Sequence, residues 1–181
     1  MVDRCDEARR AGYRRRIGPI LAAGLGLFAV AALADVPPVQ STAAWRFLRT
    51  ANPRGGPDAI SMSHTADAMR SDLDLAGLML RCGEIGTDVI IVVISPFPPR
   101  AHPSVIIVAD GKEWRFEARV LSAGAELLLP ADAAHLVAGP WQSAHELAIK
   151  ISSQDQSFGG VIPIDGLGPA LVKLSANCPA G

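Results

Sequence analysis

Short runs of alternating apolar and polar residues recur along most of the chain, and this pattern constrains the fold more than any other feature. The clearest run is EWRFEARV, in which Trp114, Phe116, Ala118 and Val120 alternate with charged residues. Such alternation indicates a strand with one face in the core and the other in water. Asp-Gly at 110–111 joins this run to the apolar SVIIVAD, and that dipeptide between apolar runs is typical of a β-hairpin.

Similar runs lie at intervals of roughly ten residues, separated by turn-forming segments such as NPRGGPD. The run TDVIIVVI is apolar on both faces, which predicts a central strand. Only two helices are indicated, one of about two turns after Pro130 and one at the C-terminal end. Seven or eight strands and two short helices predict a mainly β domain, an antiparallel β-sandwich or barrel over 45–181, with the C-terminal helix packed on the sheet. These seven or eight strands are drawn from nine strand-like runs, of which 59–66 alternates only weakly and 161–164 is very short: 44–50, 59–66, 73–82, 87–94, 104–110, 113–120, 124–130, 145–152 and 161–164.

The amino-terminal residues 1–34 combine a basic region, an uncharged apolar run from Ile17 and the small-x-small ending Ala32–Ala34. These are the three parts of a secretory signal peptide, with cleavage expected after Ala34. A retained membrane helix is the alternative, because the apolar run is near the shortest length that spans a bilayer. Residues 35–44 then form a flexible lead-in, and the expected location is periplasmic or secreted.

The charge of the expected mature chain excludes one class of partner. Residues 1–34 hold six of the 17 basic and three of the 18 acidic residues, so 11 and 15 remain and the net charge is −4. Nucleic-acid binding requires clustered cations that neutralise phosphates, so we expect no nucleic-acid partner. A membrane contact is expected only through an uncleaved signal segment.

Two of the three cysteines, Cys82 and Cys178, belong to the mature chain, whereas Cys5 lies in the signal segment. A single pair in an oxidising export compartment normally forms a disulfide. Cys82 shares its strand parity with Leu78 and Leu80, and Cys178 ends an apolar stripe along the last helix, which we expect to begin at Pro169. The patterns therefore predict a bridge that ties the helix to the sheet. Two buried free thiols are the alternative, and a redox pair is disfavoured because the Cys-x-x-Cys spacing typical of one is absent.

No catalytic or cofactor template is present in the sequence. It contains no G-x-S-x-G elbow, no H-E-x-x-H and no phosphate-binding G-x-x-x-x-G-K. The histidines, His64, His102, His135 and His145, belong to different elements. His64 lies beside Ser61 and Ser63, but adjacent strand residues point to opposite faces. We therefore expect no catalytic residues, no metal and no cofactor.

Other polar and aromatic residues have structural interpretations that are favoured over functional ones. His145 is expected at the rim of the core, because it shares a strand face with Leu147. Asp72 and Asp74 share a face, but two carboxylates make a poor calcium site, so a solvated face is expected. Trp45 and Trp141 are expected in the core.

The proline-rich loop PFPPRAHP (96–103) is the best candidate for recognition. A proline-rich segment is stiff before it binds, so docking costs less conformational entropy. Phe97 and Arg100 are the expected anchors of such a contact, with Pro98, Pro99 and His102 beside them. The alternative is a long hairpin connection without a binding role.

The export signal, the LLLP step before a short helix and the closing VIPIDGLGPALVKLSANC resemble the invasion-associated locus B family of small periplasmic bacterial proteins. The resemblance covers residues 121–178. This sequence departs from the family in having one cysteine pair. The resemblance implies a β-sandwich without known catalysis and a part in surface or envelope interactions, and it supplies no active-site residues.

Together these features predict an exported, non-enzymatic β-sandwich module that binds a protein or a cell-envelope component. Its partner is expected to be an envelope or extracellular protein, and an inhibitor-like role or a role in host interaction is compatible with this function. The alternative is a small periplasmic hydrolase whose histidine-based site is assembled only in three dimensions.

Overall fold

The computed structural model of the chain describes residues 45–53, 55–121 and 123–178, which lie in one compact unit. The predicted signal peptide and lead-in lie outside the described residues. Ten strands, numbered in chain order, form two antiparallel sheets. They are β1 (Arg46–Thr50), β2 (Ala59–Thr65), β3 (Leu75–Gly83), β4 (Gly86–Val93), β5 (Ser104–Ala109), β6 (Lys112–Glu117), β7 (Arg119–Val120), β8 (Glu126–Leu128), β9 (Glu146–Ser152) and β10 (Ser157–Pro163).

The first sheet has six strands in the order β1-β2-β3-β4-β8-β7, and the second has four in the order β10-β9-β5-β6. Leu78, Leu80, Val105, Ile107 and Ile151 are fully or almost fully buried in one hydrophobic core, to which both sheets contribute. Alternation along each strand places these side chains on the same side of their sheet. The prediction of a mainly β, sandwich-like domain is confirmed.

Strand β4 is central, as its apolar composition predicts. Val89 and Ile91 face the core, whereas Ile90 is fully buried without belonging to the core cluster. On the face of Ile90, Arg81 forms ion pairs with Asp88 at 2.9 Å and with Glu126 at 3.6 Å. These carboxylates lie on β4 and β8, so the Arg81 side chain reaches across the row that contains Ile90.

The run EWRFEARV is one alternating pattern but forms two strands in different sheets. Its β6 part pairs with β5 in the second sheet, and its β7 part pairs with β8 in the first. The break falls at the buried Ala118, whose N–H donates to the carbonyl of Pro103 at 2.9 Å. The prediction of a single strand is therefore wrong, because the chain crosses from one sheet to the other where its ladder partner changes.

The free side of β10 is covered by the segment 66–74, which joins β2 to β3. Ser71 Oγ accepts from the Val161 N–H at 2.9 Å, and Asp72 Oδ2 accepts from the Gly159 N–H at 2.7 Å. The Asp72 N–H donates to the Gly159 carbonyl at 2.9 Å. A Cβ on Gly160 would lie 2.3 Å from Ser71, so only glycine permits this close approach.

The other elements of the described residues are two α-helices, α1 (Asp132–Val137) and α2 (Leu167–Asn177), and a 3-10 turn (Pro140–Ser143). Helix α2 begins at Leu167, two residues before the predicted start at Pro169. It contacts β2 and β3 and buries Leu167 and Leu174. Among the described residues, no helix is long and apolar enough to cross a membrane.

The predicted disulfide is confirmed, since Cys178 at the end of α2 is bonded to Cys82 in β3. Of the two tryptophans expected in the core, Trp141 is fully buried. Trp45 is half-buried and packs against the core, and its indole N–H donates to the Asp165 carbonyl at 3.1 Å.

Candidate functional site

The base of the proline-rich loop is fixed by Phe97, which the sequence indicated as an exposed anchor. Phe97 is only 3% exposed, and its ring centroid lies 6.0 Å from that of Phe158 in β10. Its N–H donates to the Gly124 carbonyl at 2.9 Å. Phe97 therefore belongs to the core and cannot serve as a contact residue in this structure, because its side chain has no free surface.

The tip of the loop has the opposite character, since Pro98, Pro99 and Arg100 are all exposed. The Ala101 N–H donates to the Pro98 carbonyl at 2.9 Å, which closes a turn across the two intervening residues. Arg100 makes no ion pair or side-chain hydrogen bond within the described part of the chain. The loop thus presents two prolines and an available guanidinium on a base held by a buried aromatic ring.

The last predicted loop residue, His102, connects the loop to a cavity that sequence reasoning did not anticipate. His102 Nδ1 lies 3.2 Å from Glu117 Oε1, and both side chains are largely exposed. Glu117 is one of the residues that line an open groove of about 1170 Å³. The groove is formed by the β3–β4 hairpin (81–89), the ends of β6 and β7, residues 128–131, α1 and Leu171.

The groove has apolar and polar walls. Val89, Leu129 and Leu171 are apolar contributors, while Arg119 and His135 supply basic groups. Cys82 of the disulfide is also among the lining residues. No single sequence run predicted this groove, because its walls come from elements that are distant in the chain and approach one another only through the sheet order.

The other histidines do not assemble with one another. His64 is 3% exposed in β2, its Nδ1 lies 3.1 Å from the Thr65 carbonyl, and its ring packs edge-on against Trp45. Ser61 and Ser63 alternate with the buried His64 and are more exposed. The expectation that these serines and His64 point to opposite faces fits the alternating burial of β2.

His145 lies on the surface, so the expectation of a position at the rim of the core is wrong. It precedes β9, and its Nδ1 lies 2.8 Å from Asp165 Oδ1. The hydrogen bond to Asp165, together with the charge of that carboxylate, raises the pKa of His145 above its ordinary value of 6.5. This exposed pair resembles two members of a catalytic triad only in composition, because no hydroxyl or thiol completes it among the described hydrogen bonds.

Asp72 is exposed, as a solvated position predicts, and Asp74 is half-buried, but neither lies on a strand face. They precede β3 instead of lying within it, and Asp74 accepts a hydrogen bond from Ser95 Oγ. The Asp72 carboxylate accepts a hydrogen bond from the Gly159 N–H of β10. Among the described residues, no group of three or more histidines, cysteines or carboxylates is arranged to hold a metal ion.

Comparison of the chain with family models, curated proteins and solved structures finds no match. The resemblance to the invasion-associated locus B family stays a prediction. The candidate site therefore rests on geometry alone, as the exposed tip of the proline-rich loop and the groove that His102 and Glu117 connect to it.

Proposed function

We propose that this protein is an exported, non-enzymatic binding module that recognises an envelope or extracellular protein through the tip of the proline-rich loop. One observation carries the proposal: Pro98, Pro99 and Arg100 are exposed while Phe97 beneath them is buried. A loop that is ordered before binding loses little conformational entropy when it docks. Arginine with neighbouring apolar surface is a common composition for a binding hot spot.

The location that we propose is periplasmic or secreted. The Cys82–Cys178 disulfide supports an oxidising compartment. The sequence pattern of residues 1–34 supports export by cleavage after Ala34. Amino-terminal sequencing of the protein purified from the periplasm or the medium checks this, since cleavage there gives a chain that begins at Asp35.

The binding test uses the full chain expressed with its own amino-terminal segment and purified after export. We expect the wild-type protein to retain a specific partner from envelope extract, and the combined variant Pro98→Ser, Pro99→Ser, Arg100→Ala to retain at least about tenfold less. Phe97 stays unchanged, because its replacement would disturb the core. Arg115→Ala removes a different exposed arginine and is the matched control. Equal retention by the loop variant and the wild type would contradict the proposal.

A hydrolase is the second candidate, and the groove is the observation that favours it, because His135 and Glu117 both line it. A histidine and a carboxylate that line one cleft are the residue types that general acid–base catalysis uses. Assay of the purified protein against ester and peptide substrates tests this. Turnover that is lost in His135→Ala but kept in His145→Ala would replace the binding proposal with the enzymatic one.

A further inference from the structure

The second sheet ends at β6, and the geometry of its hairpin shows which backbone groups of this strand point away from the sheet. The turn Asp110-Gly111 has positive φ at both residues, 48° and 75°, the type I′ geometry of a two-residue loop. The residues that flank such a turn form a hydrogen-bonded pair, so Lys112 and every second residue after it direct their backbone groups toward β5. The Ala118 N–H continues this series, since it donates to the Pro103 carbonyl at 2.9 Å.

The alternate residues of β6, Glu113, Arg115 and Glu117, therefore direct their N–H and C=O groups to the open edge. No hydrogen bond within the described part of the chain uses these groups. A strand with a row of such groups is a template for pairing with another strand.

The outer strands of the two sheets differ in how well they could pair with another molecule. The edge of β10 is covered by the segment 66–74, and β7 has only two residues. Strand β1 carries charged side chains of one sign only, Arg46 and Arg49, which would repel their counterparts in a second copy. Strand β6 has six residues and charges of both signs.

The outward side chains of β6 alternate in charge. Glu113 Oε1 lies 2.6 Å from Arg115 Nη2, and these side chains are 46% and 70% exposed. An ion pair with this exposure is weak on its own. A carboxylate has about four acceptor sites and a guanidinium five N–H donors, so both groups can take a second partner of opposite charge without breaking this pair.

Antiparallel pairing of β6 with β6 of a second copy makes these charges complementary in one register. With the twofold axis at Trp114, Glu113 lies opposite Arg115 of the second copy, and Arg115 lies opposite its Glu113. Both residues have outward backbone groups, so both positions are hydrogen-bonded pairs. An axis at Glu113 or Arg115 places that residue opposite itself, which is destabilising. An axis at Phe116 pairs opposite charges, but the overlap then continues past Glu117, where the chain leaves this sheet.

The inward side of β6 also suits this register. Trp114 is half-buried, its ring centroid lies 5.9 Å from that of Trp141, and Lys112 Nζ lies 5.3 Å from its ring centroid. With the axis at Trp114, the two Trp114 residues form a non-hydrogen-bonded pair, whose Cα atoms are about 4.5 Å apart. Aromatic pairs at such positions stabilise a sheet, so a second copy would cover the part of Trp114 that is exposed in the single chain.

We propose that this protein forms a twofold-symmetric dimer through β6, in which the two four-stranded sheets join into one sheet of eight strands. Four backbone hydrogen bonds and two ion pairs, between Glu113 and Arg115 of opposite copies, hold the strands in register. The inference goes beyond the proposed binding function and does not rest on it, because the tip of the proline-rich loop lies outside β6.

Sedimentation equilibrium tests the dimer with the full chain, expressed with its own amino-terminal segment and purified after export. Over about 1 μM to 1 mM protein, we expect the molar mass of the wild type to rise twofold. Arg115→Glu sets acidic residues opposite one another and Glu113→Arg sets basic ones, so each variant should dimerise at least about tenfold more weakly. Lys150→Glu is the matched control: it makes the same change of charge as Arg115→Glu on the same face of the sheet, and it should dimerise as the wild type does.

Mixing the two charge-reversed variants tests the register. An equimolar mixture of Arg115→Glu and Glu113→Arg again places opposite charges at both positions, so we expect a heterodimer although each variant alone stays monomeric. The double variant Glu113→Arg, Arg115→Glu should restore the homodimer for the same reason. A wild type that is monomeric at all concentrations, single variants that dimerise as strongly as the wild type, or a mixture that stays monomeric would each overturn the inference.

Photocross-linking in cells that export the full chain separates a second copy from a different protein. The probe p-benzoylphenylalanine replaces Glu117, which lies opposite Gly111 of the second copy in this register, and should give a product of twice the mass of the chain. A product with another protein would replace the second copy by an extended segment of that protein and overturn the inference. Arg115→Ala should weaken the dimer but retain the partner of the loop tip, so the dimer and the binding function are tested separately.

Discussion

Replacement of both Cys82 and Cys178 by alanine should lower the free energy of unfolding by about 4–5 kcal/mol. The two residues are 96 positions apart, so their bridge closes most of the described chain into one loop. In the chain-entropy model, a loop of this length restricts the unfolded state by about 4.7 kcal/mol at 25 °C. Domains of this size are commonly stable by about 5–15 kcal/mol, so the loss would be a large fraction of the total.

The measurement is urea denaturation followed by far-UV circular dichroism, with thermal unfolding as a second probe. We expect the midpoint temperature to fall by about 10–20 °C, from the usual relation between free energy and melting temperature for a domain of this size. Wild-type protein kept in reductant is the matched control and should behave as the double variant does. The single variant Leu174→Ala separates the packing of α2 from its covalent attachment.

A loss below about 1 kcal/mol would contradict the reasoning, because the unfolded chain would then be as restricted without the bridge as with it. A large loss in the double variant without a matching loss in the reduced wild type would point to damage from the substitutions themselves. In the remaining outcome, the double variant and the reduced wild type lose the same stability, and both show a steeper dependence of the free energy of unfolding on urea concentration. That result would support the view that the bridge acts by restricting the unfolded chain.

Three other predictions follow from single contacts. Gly160→Ala should destabilise the domain by about 1–3 kcal/mol in urea denaturation, because its Cβ would collide with Ser71; unchanged stability would show that this approach is not tight. The His145–Asp165 pair should add stability that is complete below pH 6.5 and lost as the pH rises through the raised folded pKa; in an NMR titration Asp165→Asn should lower the pKa of His145, and an unaltered pKa would reject the pairing. Trp141→Phe should cost about 1–3 kcal/mol in thermal unfolding, from packing lost around a fully buried ring and not from a hydrogen bond, since the indole N–H has no acceptor among the described residues; a loss above about 5 kcal/mol would contradict this.

Much of the fold follows from local sequence patterns. Strict alternation assigned Trp114 and Phe116 to an inward face, and both are partly buried against the core. The continuous apolar run of β4 indicated its central position, because only a strand covered on both faces tolerates such a composition. The prediction of the disulfide followed from the number of cysteines in the mature chain. It also used the helical spacing, which places Cys178 on the apolar stripe that faces the sheet.

The sequence was less informative wherever a residue leaves its local pattern for a tertiary partner. Phe97 lies in a polar, proline-rich setting, yet it is buried because Phe158 of a distant strand receives its ring. His145 shares the parity of an apolar strand face, yet it lies just outside β9 and pairs with Asp165. Ala76 shares the parity of Leu78 but is not fully buried, because an irregularity in the β3–β4 register lies between Leu75 and Gly77.

The candidate site was accessible to sequence reasoning only in part. Its exposed tip, with Pro98, Pro99 and Arg100, was indicated by composition, whereas the groove is formed by elements that are distant in the chain. The attachment of the segment 66–74 to β10 was equally hidden, since it joins residues nearly ninety positions apart in the case of Asp72 and Gly159. Local periodicity contains no information about such a pairing.

That attachment also bears on how the protein would aggregate. A strand with an unpaired edge is a template for strands of other molecules, and native proteins protect such edges. Here the protection of β10 consists of the side chains and backbone of one loop, Ser71 and Asp72 above all, rather than of a neighbouring strand. A substitution that detaches the loop, such as Ser71→Pro, would leave the folded core largely intact while uncovering β10. Intermolecular β-association would then begin from a nearly native molecule rather than from the unfolded chain.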